Sequence, residues 1–321
     1  MDANFPFLPP VPEPRVDPLV SPDFIIGGVA KSGSSSLARY LAQHPQVYLS
    51  PVKEPDYFRT DDLRFLYRDF ERLQPSSTQH IARRTLAYYE ALFSAAPAGH
   101  IRGEASITYL RGGRDTALRI NAALPSVKLI FILRQPADRA YSNYIHQRRV
   151  AVETLPFSAA LDAEPRRLAT PMHGFWGYRT DGFYHDKLRA FYDVFGPDRI
   201  KVLLYDDWRA PATLMREVFT FIGVDPSFPI NTAQRYNEGT VPLLPSINRR
   251  LEPARSTALR RRCPDKVWHF LRASLHRLRR LNLVSAPPLD PRLHRSLTES
   301  YRDDILKTQA LIGRDLSAWL A

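Results

Sequence analysis

The sequence predicts an α/β fold, with a central parallel sheet flanked by helices on both faces and a helical C-terminal region. Three observations carry this. Short apolar runs alternate with amphipathic stretches between Phe24 and Ile222, the pattern of parallel strands joined by crossover helices. The run Val127–Leu133 is almost continuously apolar, as a strand buried on both faces must be. A joint rich in glycine and serine separates the first such run from the first helical stretch.

Taken in order, residues 1–22 hold Pro6, Pro9, Pro10, Pro12, Pro14, Pro18 and Pro22 with few periodic apolar positions, and read as an extended or disordered arm. Phe24–Val29 reads as a short buried strand. Ser34-Ser35-Ser36 can start a helix that carries Leu37, Tyr40 and Leu41 at helical spacing and ends before Pro45. Val47–Leu49 is a second short strand, and Gly99–Gly103 a further candidate. Thr85–Ala95 and Thr116–Leu124 read as helices. Val127–Leu133 is followed by a helix over Asp138–Arg149, and an amphipathic helix over Tyr184–Phe195 runs into the strand Arg199–Leu204. Leu214–Ile222 is helical. The stretches 59–82 and 150–182, with Pro156, Pro165, Pro171 and Gly174-Phe175-Trp176-Gly177, read as loops forming an aromatic-lined cleft cover.

The last third differs in character. Arg260-Arg261-Arg262 precedes Lys266–Leu281, where Trp268, Leu271, Leu275 and Leu278 share one helical face among basic residues; His294–Ile312 reads as a final helix. The division expected is an arm (1–22) and one domain (23–321), of which 245–321 is a basic helical part. The basic stretch either packs its apolar stripe on the sheet or, over 260–285, lies on an anionic membrane or glycan.

Hydrophobic residues make up 44% and charged residues 24% of 321 positions, ordinary values for a globular protein. No apolar run approaches the ~20 residues a membrane-spanning helix needs. The start, Met1-Asp2-Ala3-Asn4-Phe5-Pro6, lacks the basic and apolar regions of a secretory signal. Cys263 is the single cysteine, which excludes an intramolecular disulfide and a cysteine-based zinc site. These features favour a cytoplasmic location, peripheral to the membrane if 260–285 binds lipid. The formal net charge of +12 points to anionic partners without choosing among them.

The joint Gly28-Val29-Ala30-Lys31-Ser32-Gly33-Ser34-Ser35-Ser36 carries the chemistry. Its glycines let the backbone turn and aim N–H groups inward, and the helix that follows adds a positive dipole end, so an anion is favoured there. A nucleoside-triphosphate P-loop places lysine directly after its second glycine, then Ser or Thr for magnesium. Here that place is Ser34, and Lys31 stands earlier; the strand Val127–Leu133 ends in Arg134 rather than a metal-binding aspartate. Magnesium-dependent ATP chemistry is therefore disfavoured.

Lys31-Ser32-Gly33-Ser34-Ser35 resembles the 5′-phosphosulfate loop of sulfotransferases that use 3′-phosphoadenosine-5′-phosphosulfate (PAPS). A second element is similar to the same family: a strand ending in Arg134, then a helix carrying Ser142, a pair that in the family holds the 3′-phosphate. A third, Lys53-Glu54-Pro55-Asp56-Tyr57-Phe58, looks like the Lys-Glu-x-His-Phe-Phe segment of the heparan-sulfate-type and bacterial branch, with Asp56 where histidine is usual. Gly103-Glu104-Ala105-Ser106 resembles a later segment, with Ala105 where some relatives have lysine, and Asn237-Glu238-Gly239 a late loop over the 3′-phosphate.

The resemblance spans roughly residues 24–240. It implies a P-loop-NTPase-like three-layer fold, PAPS as co-substrate, adenosine 3′,5′-bisphosphate as product and no metal. It implies that Lys31, Ser32, Gly33, Ser34, Ser35, Ser36, Arg134 and Ser142 bind the nucleotide. Lys31 and Glu54 would be catalytic, Glu54 as the base that takes the acceptor proton, with Glu104 in reserve. Another branch uses histidine as base, which brings His44, His146 and His185 into view; His44 reads more simply as a helix cap. The acceptor would be a hydroxyl of a carbohydrate, glycolipid or polyketide-like molecule. The competing readings are a nucleotide kinase or hydrolase and a catalytically silent anion binder. Nucleic acid is not expected as a partner.

Overall fold

In the computed structural model the residues described are 21–59, 85–150, 152–169, 176–231, 240–243 and 281–321, with isolated positions between 267 and 278. Strands β1 (Phe24–Gly28), β2 (Val47–Leu49), β3 (Ile101–Ala105), β4 (Lys128–Leu133) and β5 (Ile200–Leu204) form one parallel sheet in the order β2-β3-β1-β4-β5. The helices α1 (Ser34–Leu41), α2 (Leu86–Ala91), α3 (Gly113–Ala123), α4 (Pro136–Arg149), α5 (Phe157–Leu168), α6 (His185–Phe195) and α7 (Pro211–Ile222) join or flank these strands. A two-stranded antiparallel ribbon, β6 (Thr240–Pro242) with β7 (Leu283–Ser285), precedes α8 (Pro291–Ser300) and α9 (Arg302–Ile312).

Alternation along β4 explains the three layers. Leu129, Phe131 and Leu133 face one core with α3, α4 and α6, whereas Ile130 and Ile132 face a second core with α1 and α7. Since successive side chains of a strand point to opposite faces, a strand apolar at every position must be covered twice. Strand β1 is buried at all five positions. It sits at the centre of the sheet, so the loop leaving its carboxyl end opens where the crossovers diverge to the two sides, the usual place for a ligand in such sheets.

Gly28 shows how tight this centre is. Its φ is +116°, and a Cβ there would lie 2.5 Å from Ile132 O and 2.7 Å from Ile132 N, backbone atoms of β4 that cannot swing aside. Gly28→Ala should therefore lower stability by at least ~2 kcal/mol, combining overpacking with a strained backbone. The check is a lower urea midpoint at unchanged m-value.

Three expectations change. Residues 157–168, read as loop because of Pro156 and Pro165, form α5: Pro156 is its N-cap and Pro165 lies in its last turn, places where a missing N–H costs little or the helix is already ending. The helix expected over His294–Ile312 is two helices meeting at Tyr301, whose φ of −100° and ψ of −3° bends the chain. Tyr301 is fully buried, and its hydroxyl donates to Arg179 O at 2.9 Å. The helix expected over Thr85–Ala95 is shorter, α2, with the Thr85 side chain capping it through the Tyr88 N–H.

The arm over 1–20, most of the cleft cover at 59–82, Gly174-Phe175 and the 237–239 loop lie outside the described residues. So does most of the basic stretch 260–285. Of its apolar stripe, Trp268 is buried whereas Leu278 is exposed, as is Leu281 beyond it. No helix among the described residues is long and apolar enough to cross a membrane.

Candidate active site

A cavity of about 1010 Å³ opens at the carboxyl ends of the sheet, and Lys31, Glu54, Arg134 and Ser142 all line it. Three parts of the chain thus converge: the β1–α1 loop, the stretch after β2, and the end of β4 with the second turn of α4.

The β1–α1 loop turns through Lys31 at φ 73° and Gly33 at φ 103°. The N–H groups of Ser36 and Leu37 both return to Gly33 O, at 3.0 and 3.1 Å. The helix therefore begins at the glycine, and the amides of Ser34 and Ser35 have no carbonyl one turn back to bond. Gly33 is required twice over: its φ disfavours a side chain, and a Cβ would lie 2.4 Å from the Trp208 indole nitrogen. That buried N–H has no acceptor among the described residues. Ser34, Ser35 and Ser36 line the cavity. The Ser32 side chain is fully buried and is not part of the cavity wall, so its backbone N–H is what it could offer a ligand.

Arg134 is held from three sides. Tyr184 donates its hydroxyl to Arg134 O at 2.7 Å, the guanidinium Nη1 donates to Lys31 O at 3.1 Å, and the guanidinium lies 4.4 Å from the Tyr205 ring centre. Its Nε is buried with no acceptor among the described residues. A planar cation packed this way keeps a fork of donors ready for an oxyanion.

Glu54 sits at φ 56° and Asp56 at φ 53°, conformations that non-glycine residues adopt at a cost and that concentrate at functional sites. The Glu54 N–H donates to Ala105 O at 2.9 Å, continuing the β2–β3 pairing past the end of β2. Burial raises the Glu54 pKa above the ordinary carboxylate value, while neighbouring Lys53 pulls it back. Lys53 links the two halves of the site: its Nζ donates to Ser35 Oγ at 2.7 Å and lies 3.3 Å from Glu54 Oε1.

The cavity is strongly electropositive. Burial, then the charges of Arg149, Lys53 and Arg134, lower the Lys31 pKa to about 8. Burial, then Lys31, Arg149 and Lys53, push His146 down to about 3, so its imidazole is neutral and a weak base. His44 is a structural residue: its Nε2 meets Asp225 O at 3.1 Å and its Nδ1 accepts the Gln46 N–H. His185 pairs with Asp186 and does not line the cavity. Glu104 is likewise absent from the cavity wall, buried under three hydroxyl groups, which removes it as a reserve base.

Sequence reasoning missed Lys53 as a bridge, Trp208 and Tyr205, and a second charged group in the wall, Arg111 paired with buried Asp181 beside Lys187. Tyr205 and Trp208 follow the last strand of the parallel sheet, so their position after β5 was the available signal.

A family model described as the sulfotransferase family matches residues 22–228. The chain belongs to that family. The sulfotransferase is 30% identical to a solved sulfotransferase from Alicyclobacillus acidocaldarius, with a TM-score of 0.71 over 94% of this chain and 99% of the other. It is 27% identical over 229 residues to the bifunctional heparan sulfate N-deacetylase/N-sulfotransferase 3 of Mus musculus, covering 67% of this chain and 24% of the relative. It is 32% identical over 123 residues to the heparan sulfate glucosamine 3-O-sulfotransferase 6 of Homo sapiens, covering 38% of this chain and 30% of the relative. The chain thus spans about a quarter of the length of the bifunctional relative. The five-stranded parallel sheet flanked by helices is the fold the sequence predicts.

Proposed function

We propose that this sulfotransferase takes its sulfuryl group from PAPS and passes it, by in-line displacement, to a hydroxyl of a carbohydrate, glycolipid or other small acceptor. The observation that carries this reading is the convergence of Lys31 and the start of α1, Arg134 with Ser142, and the Glu54 carboxylate on a single cavity. Lys31 and the first amides of α1 would hold the 5′-phosphosulfate, and Arg134 with Ser142 the 3′-phosphate. The Arg134 Nε and Trp208 Nε1 donors, which find no acceptor among the described residues, favour a ligand rich in acceptor oxygens.

In the reaction the acceptor oxygen forms its bond to sulfur as the bond from sulfur to the phosphate oxygen breaks. Adenosine 3′,5′-bisphosphate leaves with its charge on the 5′-phosphate, and the acceptor proton goes to Glu54. In this reading Lys31 would stabilise that leaving charge as it grows. Glu54, with its pKa raised by burial, is a better base than a free carboxylate.

The nucleotide assignment is tested by Arg134→Ala. Wild type should hold adenosine 3′,5′-bisphosphate far more tightly than adenosine 5′-monophosphate. The variant should lose about 10- to 100-fold for the bisphosphate, the worth of charge-assisted bonds, and little for the monophosphate. Calorimetry with both nucleotides reads the difference. Equal affinity of the wild type for the two, or for ATP, would overturn the reading.

A further inference from the structure

Beneath Glu54 lies a buried polar chain that the proposed reaction does not use. Glu104, on β3, is 1% exposed. Its Oε1 accepts the hydroxyls of Tyr89 at 2.8 Å and Tyr109 at 3.0 Å, and its Oε2 accepts Ser106 Oγ at 2.5 Å. Ser106 Oγ in turn accepts the N–H of Asp56 at 3.2 Å. Asp56 stands two residues beyond Glu54, across Pro55. Its carboxylate accepts Thr108 Oγ1 at 2.5 Å, and its Oδ2 lies 3.7 Å from Arg59 Nη1.

The turn that presents Glu54 is therefore built from two residues in left-handed conformation, and such strain persists only where the surroundings over-determine it. The clamps are few and identifiable: the Glu54 N–H on β3, the Asp56 N–H on Ser106, and Thr108 on Asp56. Ser106 can direct its lone pairs at the Asp56 N–H because its own proton is committed to Glu104. The Glu104 carboxylate thus fixes the orientation of the hydroxyl that holds the turn.

Resting on the reading of Glu54 as the base, we propose that Glu104 is a positioning residue, its ionised carboxylate acting through Ser106 to hold Glu54 in the cavity. Protonation of Glu104 would remove an acceptor from Ser106, free that hydroxyl to turn and loosen the strained turn.

The groups facing Glu104 set where this happens. Tyr89 from α2 and Tyr109 from the turn after β3 are buried phenols whose pKa values are raised well above 10, so both remain donors at all working pH values. Asp56 faces it from the Glu54 turn with Arg59 beside it. Burial outweighs the three hydroxyl donors and raises the Glu104 pKa to about 7. The carboxylate form is present above that value and lost below it, so turnover falls on the acid side of neutrality.

The test compares Glu104→Gln, Ser106→Ala and Glu54→Gln by kcat against pH and by affinity for adenosine 3′,5′-bisphosphate. Glu104→Gln should lower kcat at pH 8 by about 10- to 100-fold, the scale of a small misplacement of a reacting group. It should also erase the ionisation near 7 from the profile and leave nucleotide affinity within twofold of wild type. Ser106→Ala should lower kcat comparably with nucleotide affinity intact. Wild-type kcat in Glu104→Gln with Glu54→Gln inactive leaves the base in place and overturns the positioning role alone. A Glu104→Gln enzyme that keeps the ionisation, or that loses bisphosphate binding in proportion to activity, overturns it too. An active Glu54→Gln removes the base assignment and this inference with it.

Discussion

Lys31→Ala should lower kcat/KM by about a thousandfold and weaken adenosine 3′,5′-bisphosphate as well. The lysine is half-buried in the turn between Gly28 and Gly33 and lies on the cavity wall. A cation kept there against the repulsion of Arg149, Lys53 and Arg134 is held for an anion that arrives later. One preorganised donor aimed at developing charge is worth about 10²–10³ in rate, and the departing 5′-phosphate carries more charge than the bound donor does. A large part of the loss should thus appear in kcat. A rise in KM with kcat unchanged would mean that the residue stabilises ground and transition states alike. Single-turnover kinetics beside equilibrium nucleotide binding separates the two cases.

Glu54→Gln should cut turnover by about 10²–10⁴, the usual span for a lost general base, while bisphosphate binding stays nearly intact. Glutamine keeps the shape and one acceptor oxygen, so the turn around φ 56° should survive. What disappears is the ability to take a proton. Nucleotide binding can even tighten slightly, since a negative charge leaves an anion site. His146 cannot substitute, because burial, reinforced by Lys31, Arg149 and Lys53, lowers its pKa to about 3. Near-normal turnover in this variant would take Glu54 out of the mechanism.

The parts of the site that were legible in the sequence are those whose partners lie close along the chain. Lys31 and the serines after Gly33 share one loop with the strand and helix that shape it, and Arg134 and Ser142 are joined by one strand end and one helix. The strands β1, β4 and β5 were visible because parallel strands buried on both faces need apolar residues at nearly every position. What stayed hidden depends on strand order. Lys53 meets Ser35 only because β2 crosses to the far edge and its following loop returns over β3. Trp208 meets Gly33 only because β5 lies on the other side of β4. The helix α5 was masked by two prolines at positions that tolerate them. The burial of the Ser32 hydroxyl also depends on packing that the loop's own sequence does not show.

The depressed basicity of Lys31 has a thermodynamic consequence. Near pH 8 the empty protein holds this ammonium only about half the time, because burial and three neighbouring cations disfavour it. A nucleotide dianion reverses that balance, so association should draw a proton from the solution. The observed binding heat should then vary with the ionisation enthalpy of the buffer, differing between Tris and HEPES at the same pH. Affinity should decline as pH climbs past 8, since each complex formed must first recruit the proton that alkaline solvent withholds.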